Sequence, residues 1–446
     1  MSALSLGRLK GAKGKSAKKR RRPHSTEYNM LLTATLCLLA LGAVMVFSAS
    51  STTRVLQDGG LSDSAFYLKR TLMFGAVGLL IMHLVARQGL DFVRRLTPLI
   101  LGLSFFLLLA VLVVGTEVNG ASRWIGGGFL QIQPSEIAKV ALILYAADLL
   151  ASKPVRARTL EGIMPLLVVV GVSSALIMLE PDMGTTMVTT FAIGATLIAA
   201  GVRPADLGKI ALVIGALALL MAVIEPYRMA RLTAFLNPGA DASGAGFQAA
   251  QAKIALGSGG LFGVGIGNGV QKAFYLPEAH TDMISAVIGE ELGLIGIAGV
   301  VGLFGMFGYA GFKVAQKARD NYSKILVAGL TSLVLVQASI NLFAVMGLAP
   351  LTGVPLPFVS YGNSSLMACL FAVGLILNVA RGGRAGAARG STATGAGKLR
   401  VVQGGRAPAR ERSRASGARK AKSGGGGGGN RGARRARNGG RRRASG

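Results

Sequence analysis

The sequence predicts an all-α integral membrane protein of about ten transmembrane helices, with a large outer loop between the seventh and the eighth. Three observations predict it. Hydrophobic residues make up 51% of the 446 and mean hydropathy is +0.52, more apolar surface than a soluble domain hides without exposing large greasy patches. Apolar runs recur at a length that crosses about 30 Å of hydrocarbon at about 1.5 Å per residue. Basic residues gather in alternate loops, as the positive-inside rule demands.

The runs lie near 30 to 50, 70 to 86, 96 to 114, 134 to 151, 163 to 179, 184 to 200, 207 to 224, 288 to 311, 324 to 346 and 358 to 380. Those at 70 and 134 are short, and the break at Glu180, Pro181 and Asp182 reads as a hairpin or a kink. The first run has no convincing small-residue cleavage site after it, so it reads as an anchor and not as a removed signal. Arg87, Arg94 and Arg95, then Lys153, Arg156 and Arg158, then Arg203 and Lys209, then Lys313, Lys317, Arg319 and Lys324 occupy every second loop. That set is expected in the cytoplasm together with both termini, which places the long segment 225 to 282 outside. The net charge of +30 sits mostly in Arg8 to Arg22 and in a Gly/Arg/Ala/Ser tail from Arg381. Such segments cannot bury enough apolar surface to order themselves. Three parts result: a basic tail over 1–29, a transmembrane domain over 30–381 and a second basic tail over 382–446. Cys37 and Cys369 stand alone in apolar runs and indicate neither a disulfide framework nor a metal cluster.

Four polar segments, 119 to 139, 180 to 185, 268 to 291 and 353 to 365, all map to the outer side. Polar groups gathered at one leaflet mark a site that handles something there. Arg123 and Trp124 precede Pro134, Glu136 and Lys139. Proline and an acid suit a helix start, and Glu136 and Lys139 are spaced to pair on one face. Their pairing serves either structure or a cavity lining, and Trp124 is either an interfacial ring or part of the same lining. Glu180 and Asp182 make a turn before a helix or contact a cation. Lys272, His280 and Asp282 lead into Glu290 and Glu291, which fall near the outer boundary of the eighth span. Asp282 is either a first-turn acid or a general base whose neighbours offset the helix dipole. Lys272 and His280 are candidates to hold phosphate or are solvated loop charges. Ser360, Tyr361 and Ser364 sit in a hydroxyl-rich turn fit to cap the tenth helix or to bind sugar.

The glycines from Gly257 to Gly269 miss the spacing of both nucleotide-binding fingerprints and follow no strand, so a re-entrant or interfacial loop is expected instead. No HExxH, Ser/His/Asp order or Cys/His metal spacing is present, which leaves acid/base chemistry by carboxylates.

The stretches RWIGGGFLQIQPSEIAK, LEPDMGTT, IALGSGGLFGVGIGNGVQKAFYLPEAHTDMISAVIGEELGLIG and GVPLPFVSYGNSSL resemble the SEDS family (shape, elongation, division, sporulation) of cell-wall proteins. Within it they are more similar to the septal than to the rod-type members. The resemblance runs over roughly 30 to 381. It implies a ten-helix fold and peptidoglycan glycosyltransfer, the polymerisation of lipid II on the outer face of the bacterial cytoplasmic membrane at the division septum. It puts the catalytic aspartate on Asp282 and favours Arg123, Trp124, Glu136, Lys139 and Glu290 as cavity lining. It implies a class B penicillin-binding protein as partner, alongside the growing glycan strand and other division proteins, and no specific nucleic acid. Met183, Met283 and Ser285 stand where aromatics are expected, and Asn363 where a second glycine is usual.

Under that reading the acceptor's 4-hydroxyl attacks the donor's anomeric carbon and Asp282 takes its proton. Arg123, Lys139, Lys272 or a divalent cation neutralises the departing pyrophosphate. No resident cofactor is otherwise called for. The rivals are a flippase for the same lipid and a scaffold that recruits division proteins through its basic tails.

Overall fold

The computed structural model describes residues 25–383 except 58–64, 119–120, 128–129, 156–157 and most of 225–244. Of the expected tail over 382–446, residues 384–446 lie outside the described residues, as do residues 1–24. Residues 26–29, expected in the first tail, already belong to a helix.

All ten expected spans are helices. They are α1 Thr26–Gln57, α2 Phe66–Arg87, α3 Leu90–Val114, α4 Pro134–Ser152, α5 Leu160–Leu179, α6 Met183–Ala200 and α7 Pro204–Ile224. The long loop contributes α8 Ala245–Gly259 and the short α9 Gln271–Phe274 before α10 Ile284–Lys317, α11 Asn321–Val345 and α12 Asn363–Ala380. Eight of them are apolar and long enough to cross a membrane by the described residues alone. Of the other two spans, α4 carries Glu136, Lys139 and Asp148, and α7 is followed by residues outside those described. The starts obey local chemistry. Thr159, Asp182 and Asp320 cap α5, α6 and α11 by accepting backbone N–H groups from Gly162, Thr185 and Ser323. Pro134 opens α4 at the position where its missing N–H leaves nothing unpaired.

One element lies outside the helical expectation. Thr116–Val118, Ala121–Gly127 and Leu130–Ile132 form a small antiparallel sheet, β1-β2-β3, between α3 and α4. The signal was in the chain: Asn119-Gly120 separates the paired residues Val118 and Ala121, the dipeptide that favours a two-residue hairpin.

Helix α11 runs through the centre, with 83% of its apolar window buried, whereas α3 and α5 have only 22% buried and form the lipid-facing periphery. Helix α11 packs on α10, α6 and α4, and α12 packs on α2.

Helix α10 is broken at Gly293, whose φ of 65° and ψ of −162° no side-chain-bearing residue adopts comfortably. A break frees backbone groups that lipid cannot satisfy. The glycine run after α8 satisfies them. Leu294 and Ile295 donate to the carbonyls of Gly260 and Leu261 at 2.9 and 3.2 Å, and Val264 and Gly265 donate to those of Glu290 and Glu291 at 3.0 Å. The approach needs glycine, since a Cβ on Gly263 would lie 2.1 Å from the Glu291 carbonyl oxygen. The run expected as a re-entrant or interfacial loop is thus a strap hydrogen-bonded into a helix break.

Candidate functional site

Residues of the connections α3–α4, α5–α6, α9–α10 and α11–α12 meet at one end of the bundle. The segment 351–365 between α11 and α12 is the hub to which the predicted clusters attach. Asp282 lies one residue before Met283, the N-cap of α10, and is half-buried. Its Oδ1 accepts from Thr281 Oγ1 at 3.2 Å, and Gly353 comes so close that a Cβ there would sit 3.8 Å from its Oδ2. The main-chain oxygen of Asp282 accepts from Asn341 Nδ2 at 2.8 Å.

His280, two residues earlier, joins the same hub through its carbonyl, which accepts the Tyr361 N–H at 2.9 Å. Its ring lies 4.3 Å from that of Tyr67 on α2 and 5.5 Å from that of Tyr361, an aromatic cluster that holds α2 against the Asp282 turn. Ser360 is buried and its Oγ accepts from the Leu356 N–H at 2.7 Å, closing a turn inside the hub. Ser364 accepts from the Gln133 N–H at 3.1 Å and donates to the Gln131 carbonyl at 3.3 Å, which ties β3 and the start of α4 to α12.

The three cations expected to face pyrophosphate are committed elsewhere. Lys139 is 2% exposed and bonds Glu136 at 2.8 Å and Gln337 Oε1 at 2.9 Å. Lys272, expected as a phosphate contact or a solvated charge, is instead sealed in an ion pair with Glu291, and Ser48 of α1 bonds both of them. The reason is local. The short α9 folds back onto the strap, and Gly269 brings the chain against the carboxylates of Glu290 and Glu291. Glu290 Oε1 accepts from the N–H groups of Val270 and Gln271 at 2.8 and 3.1 Å, satisfying the start of α9. Arg123, on β2 beside Trp124, donates to the main-chain oxygens of Glu180 and Pro181, where a cation also complements the C-terminal end of α5. Trp124 is half-buried in the sheet, and its carbonyl accepts from Thr116 Oγ1 at 3.2 Å.

Glu180 and Asp182 differ although they stand two residues apart. Asp182 caps α6 at 2.9 Å and accepts from Gln133 Nε2 at 3.0 Å. Glu180 is 1% exposed, and neither carboxyl oxygen has a hydrogen-bond partner among the described residues. Burial pushes its carboxyl up to about 8, the charge on Asp182 adds to the rise, and Arg123 opposes it. Among the described residues no three His, Cys, Asp or Glu side chains are grouped to hold a metal ion.

The sequence reading passed over Gln337, Asn341, Ser48 and Tyr67. A signal existed for two of them: Gln337 and Asn341 are amides one helical turn apart inside an apolar span, and polar residues within a span are rarely idle.

The sequence profile of the FtsW/RodA/SpoVE family, described as cell cycle protein, matches residues 28–385. The chain belongs to that family. The SEDS assignment suggested by the motifs therefore holds across the whole transmembrane domain. The chain is 40% identical over 360 residues to a protein of Trichlorobacter lovleyi named "Probable peptidoglycan glycosyltransferase FtsW", covering 80% of this chain and 94% of that one. It is also 40% identical over 358 residues to stage V sporulation protein E of Bacillus subtilis, covering 79% and 96%. Among solved structures, a chain from a study of how a peptidoglycan synthase complex coordinates polymerization and crosslinking matches with a TM-score of 0.66, 28% identity, and coverage of 79% and 97%. The rod shape determining protein RodA of Thermus thermophilus matches with a TM-score of 0.58, 29% identity, and coverage of 79% and 96%. Bundle and sequence together make this SEDS protein a multi-pass membrane protein.

Proposed function

We propose that this SEDS protein is a peptidoglycan glycosyltransferase that polymerises lipid II during division, with Asp282 as the general base. The observation that carries the base assignment is the state of the neighbouring acids. Glu136, Asp182, Glu290 and Glu291 each hold a lysine, an amide or a helix start, and Glu180 is sealed. Asp282, whose Oδ1 accepts from Thr281 Oγ1, is half-buried and not sealed on the turn that meets the hub, where a substrate hydroxyl has access. The relatives' names support the reaction class, and the synthase-complex likeness supports a class B penicillin-binding protein as partner.

The step balances without a cofactor. The acceptor's 4-hydroxyl oxygen forms a bond to the donor's anomeric carbon as the bond to pyrophosphate breaks, with inversion. The hydroxyl proton passes to Asp282, and lipid pyrophosphate departs with the bonding electrons. His280, two residues before Asp282 on the same turn, is the basic side chain assigned here to face the leaving group. The loop charges support an outer location for this end of the bundle and cytoplasmic termini, which suits a lipid-linked substrate presented at the septum.

Purified protein in detergent, supplied with lipid II and the partner transpeptidase, is expected to make glycan chains. Asp282→Asn is expected to slow the reaction about 10²- to 10⁴-fold, the contribution of a positioned base. Absence of chains from the wild type defeats the polymerase reading, and a normal rate from Asp282→Asn defeats the base assignment.

A further inference from the structure

Helix α11 carries two buried amides, Gln337 and Asn341, 1% and 2% exposed, stacked one turn apart. Each uses its oxygen and both of its amide hydrogens in specific bonds. Gln337 Oε1 accepts from Lys139 Nζ at 2.9 Å, and its Nε2 donates to the Pro355 carbonyl at 3.0 Å and to Ser365 Oγ at 3.2 Å. Asn341 Oδ1 accepts from Ser285 Oγ at 2.5 Å, and its Nδ2 donates to the carbonyls of Val354 and Asp282, both at 2.8 Å. The two amides thus grip the consecutive carbonyls Val354 and Pro355. One of them reaches on to the ion pair of α4, the other to the backbone of the proposed base.

We propose that Gln337 and Asn341 form a two-rung amide ladder that sets the register of Asp282 against the hub, with Asn341 the positioning residue for the base. The inference rests on the role proposed for Asp282. The geometry leaves little slack. An amide side chain can flip by half a turn, exchanging oxygen for nitrogen; here the carbonyls of Asp282 and Val354, which only accept, hold Nδ2 toward them, and the Ser285 hydroxyl donates to the oxygen turned away from them. Ser285 is one of the positions where the family pattern leads one to expect an aromatic, and its hydroxyl supplies the bond that an aromatic could not. Deep in a low-dielectric bundle each of these bonds is strong, and each carbonyl left unpaired is costly. Asn341 is also a direct side-chain link between the Asp282 turn and the Val354 segment, whose neighbour Gly353 sits beside the carboxylate. Losing it lets the two segments drift apart by fractions of an ångström, and a displacement of about 1 Å in an active site can reduce rate about 10²-fold.

Three variants of the full-length protein test this, assayed for lipid II polymerisation beside the wild type and Asp282→Asn. Asn341→Leu keeps the size and removes both donors; kcat is expected to fall about 10²-fold with KM within about twofold. Ser285→Ala removes the donor to Asn341 Oδ1 and loosens the amide, and a smaller loss of about 3- to 10-fold is expected, with no further loss when it is added to Asn341→Leu. Asn341→Asp donates only when protonated, so its kcat relative to the wild type at each pH is expected to rise as pH falls, a dependence that a merely space-filling role would not produce. Hydrogen exchange read by mass spectrometry is expected to quicken in Asn341→Leu at residues 281–285 and 353–356 and not in the peripheral α3. This readout judges the ladder even if lipid II proves the wrong substrate, in which case the wild type makes no chains while the exchange pattern still changes. Unchanged exchange at both segments, additive losses in the double variant, or an Asn341→Asp ratio flat with pH would overturn the proposal.

Discussion

Replacing Glu180 by glutamine should make this protein more stable at neutral pH, although it removes a charged residue from a polar cluster. The carboxyl is 1% exposed and lacks hydrogen-bond partners among the described residues, which holds it at about 8 against an ordinary value of 4.5. In the unfolded chain it ionises from pH 4.5 upward; in the folded protein it keeps its proton until about 8. The unfolded state therefore gains free energy that the folded state does not, at about 1.4 kcal/mol per pH unit across that window. Stability is fully present below pH 4.5 and declines as pH rises, by about 3 kcal/mol at pH 7 and about 5 kcal/mol above pH 8. Glutamine ionises in neither state. Its extra amide hydrogens cost about 1–3 kcal/mol if left unpaired, an offset that does not vary with pH. The diagnostic quantity is thus the difference in Tm between Glu180→Gln and wild type, measured in one detergent by tryptophan and tyrosine fluorescence at half-unit steps from pH 5 to pH 9. It should grow more positive up to about pH 8 and then level off, while all other titrating groups cancel. A difference that stays flat with pH would refute the sealed, protonated Glu180.

Lys272→Met should strand Glu291 as an uncompensated buried charge, costing about 3–5 kcal/mol, whereas the double change to Lys272→Met with Glu291→Leu should recover most of it; chemical unfolding of the three proteins reads the difference. Gly293→Ala should lower the yield of folded protein in detergent size exclusion, because φ of 65° with ψ of −162° is a conformation worth about 1–3 kcal/mol of strain and the added Cβ would lie 2.4 Å from the Gly263 nitrogen.

The spans were legible because the bilayer enforces them. Every backbone group in hydrocarbon must be bonded within the protein, which a helix does by itself, so twenty-odd apolar residues with charged loops at either end leave few alternatives, and all ten runs became helices. Asn119-Gly120 announced the hairpin of the small sheet and was read only as part of a polar cluster. The candidate site was legible as four polar segments, and those segments do converge on 351–365. Their internal roles were not. Lys272 looked like a loop cation because glycines and Asn268 precede it and Pro277 follows it, but its partners Ser48 and Glu291 lie 224 and 19 residues away.

What the sequence by itself determined is what depends on short-range pattern: hydropathy, loop charge, caps, the helix count and the motifs that match the SEDS family. What only the tertiary structure decided is which polar groups neutralise one another. Pairing in a low-dielectric interior is a matter of a few tenths of an ångström between residues from different helices. Folding therefore sealed Lys272 against Glu291, buried the Glu136–Lys139 pair that the spacing had announced, made Glu180 a buried acid, and brought Asn341, unremarked on an apolar helix, to the carbonyl of Asp282.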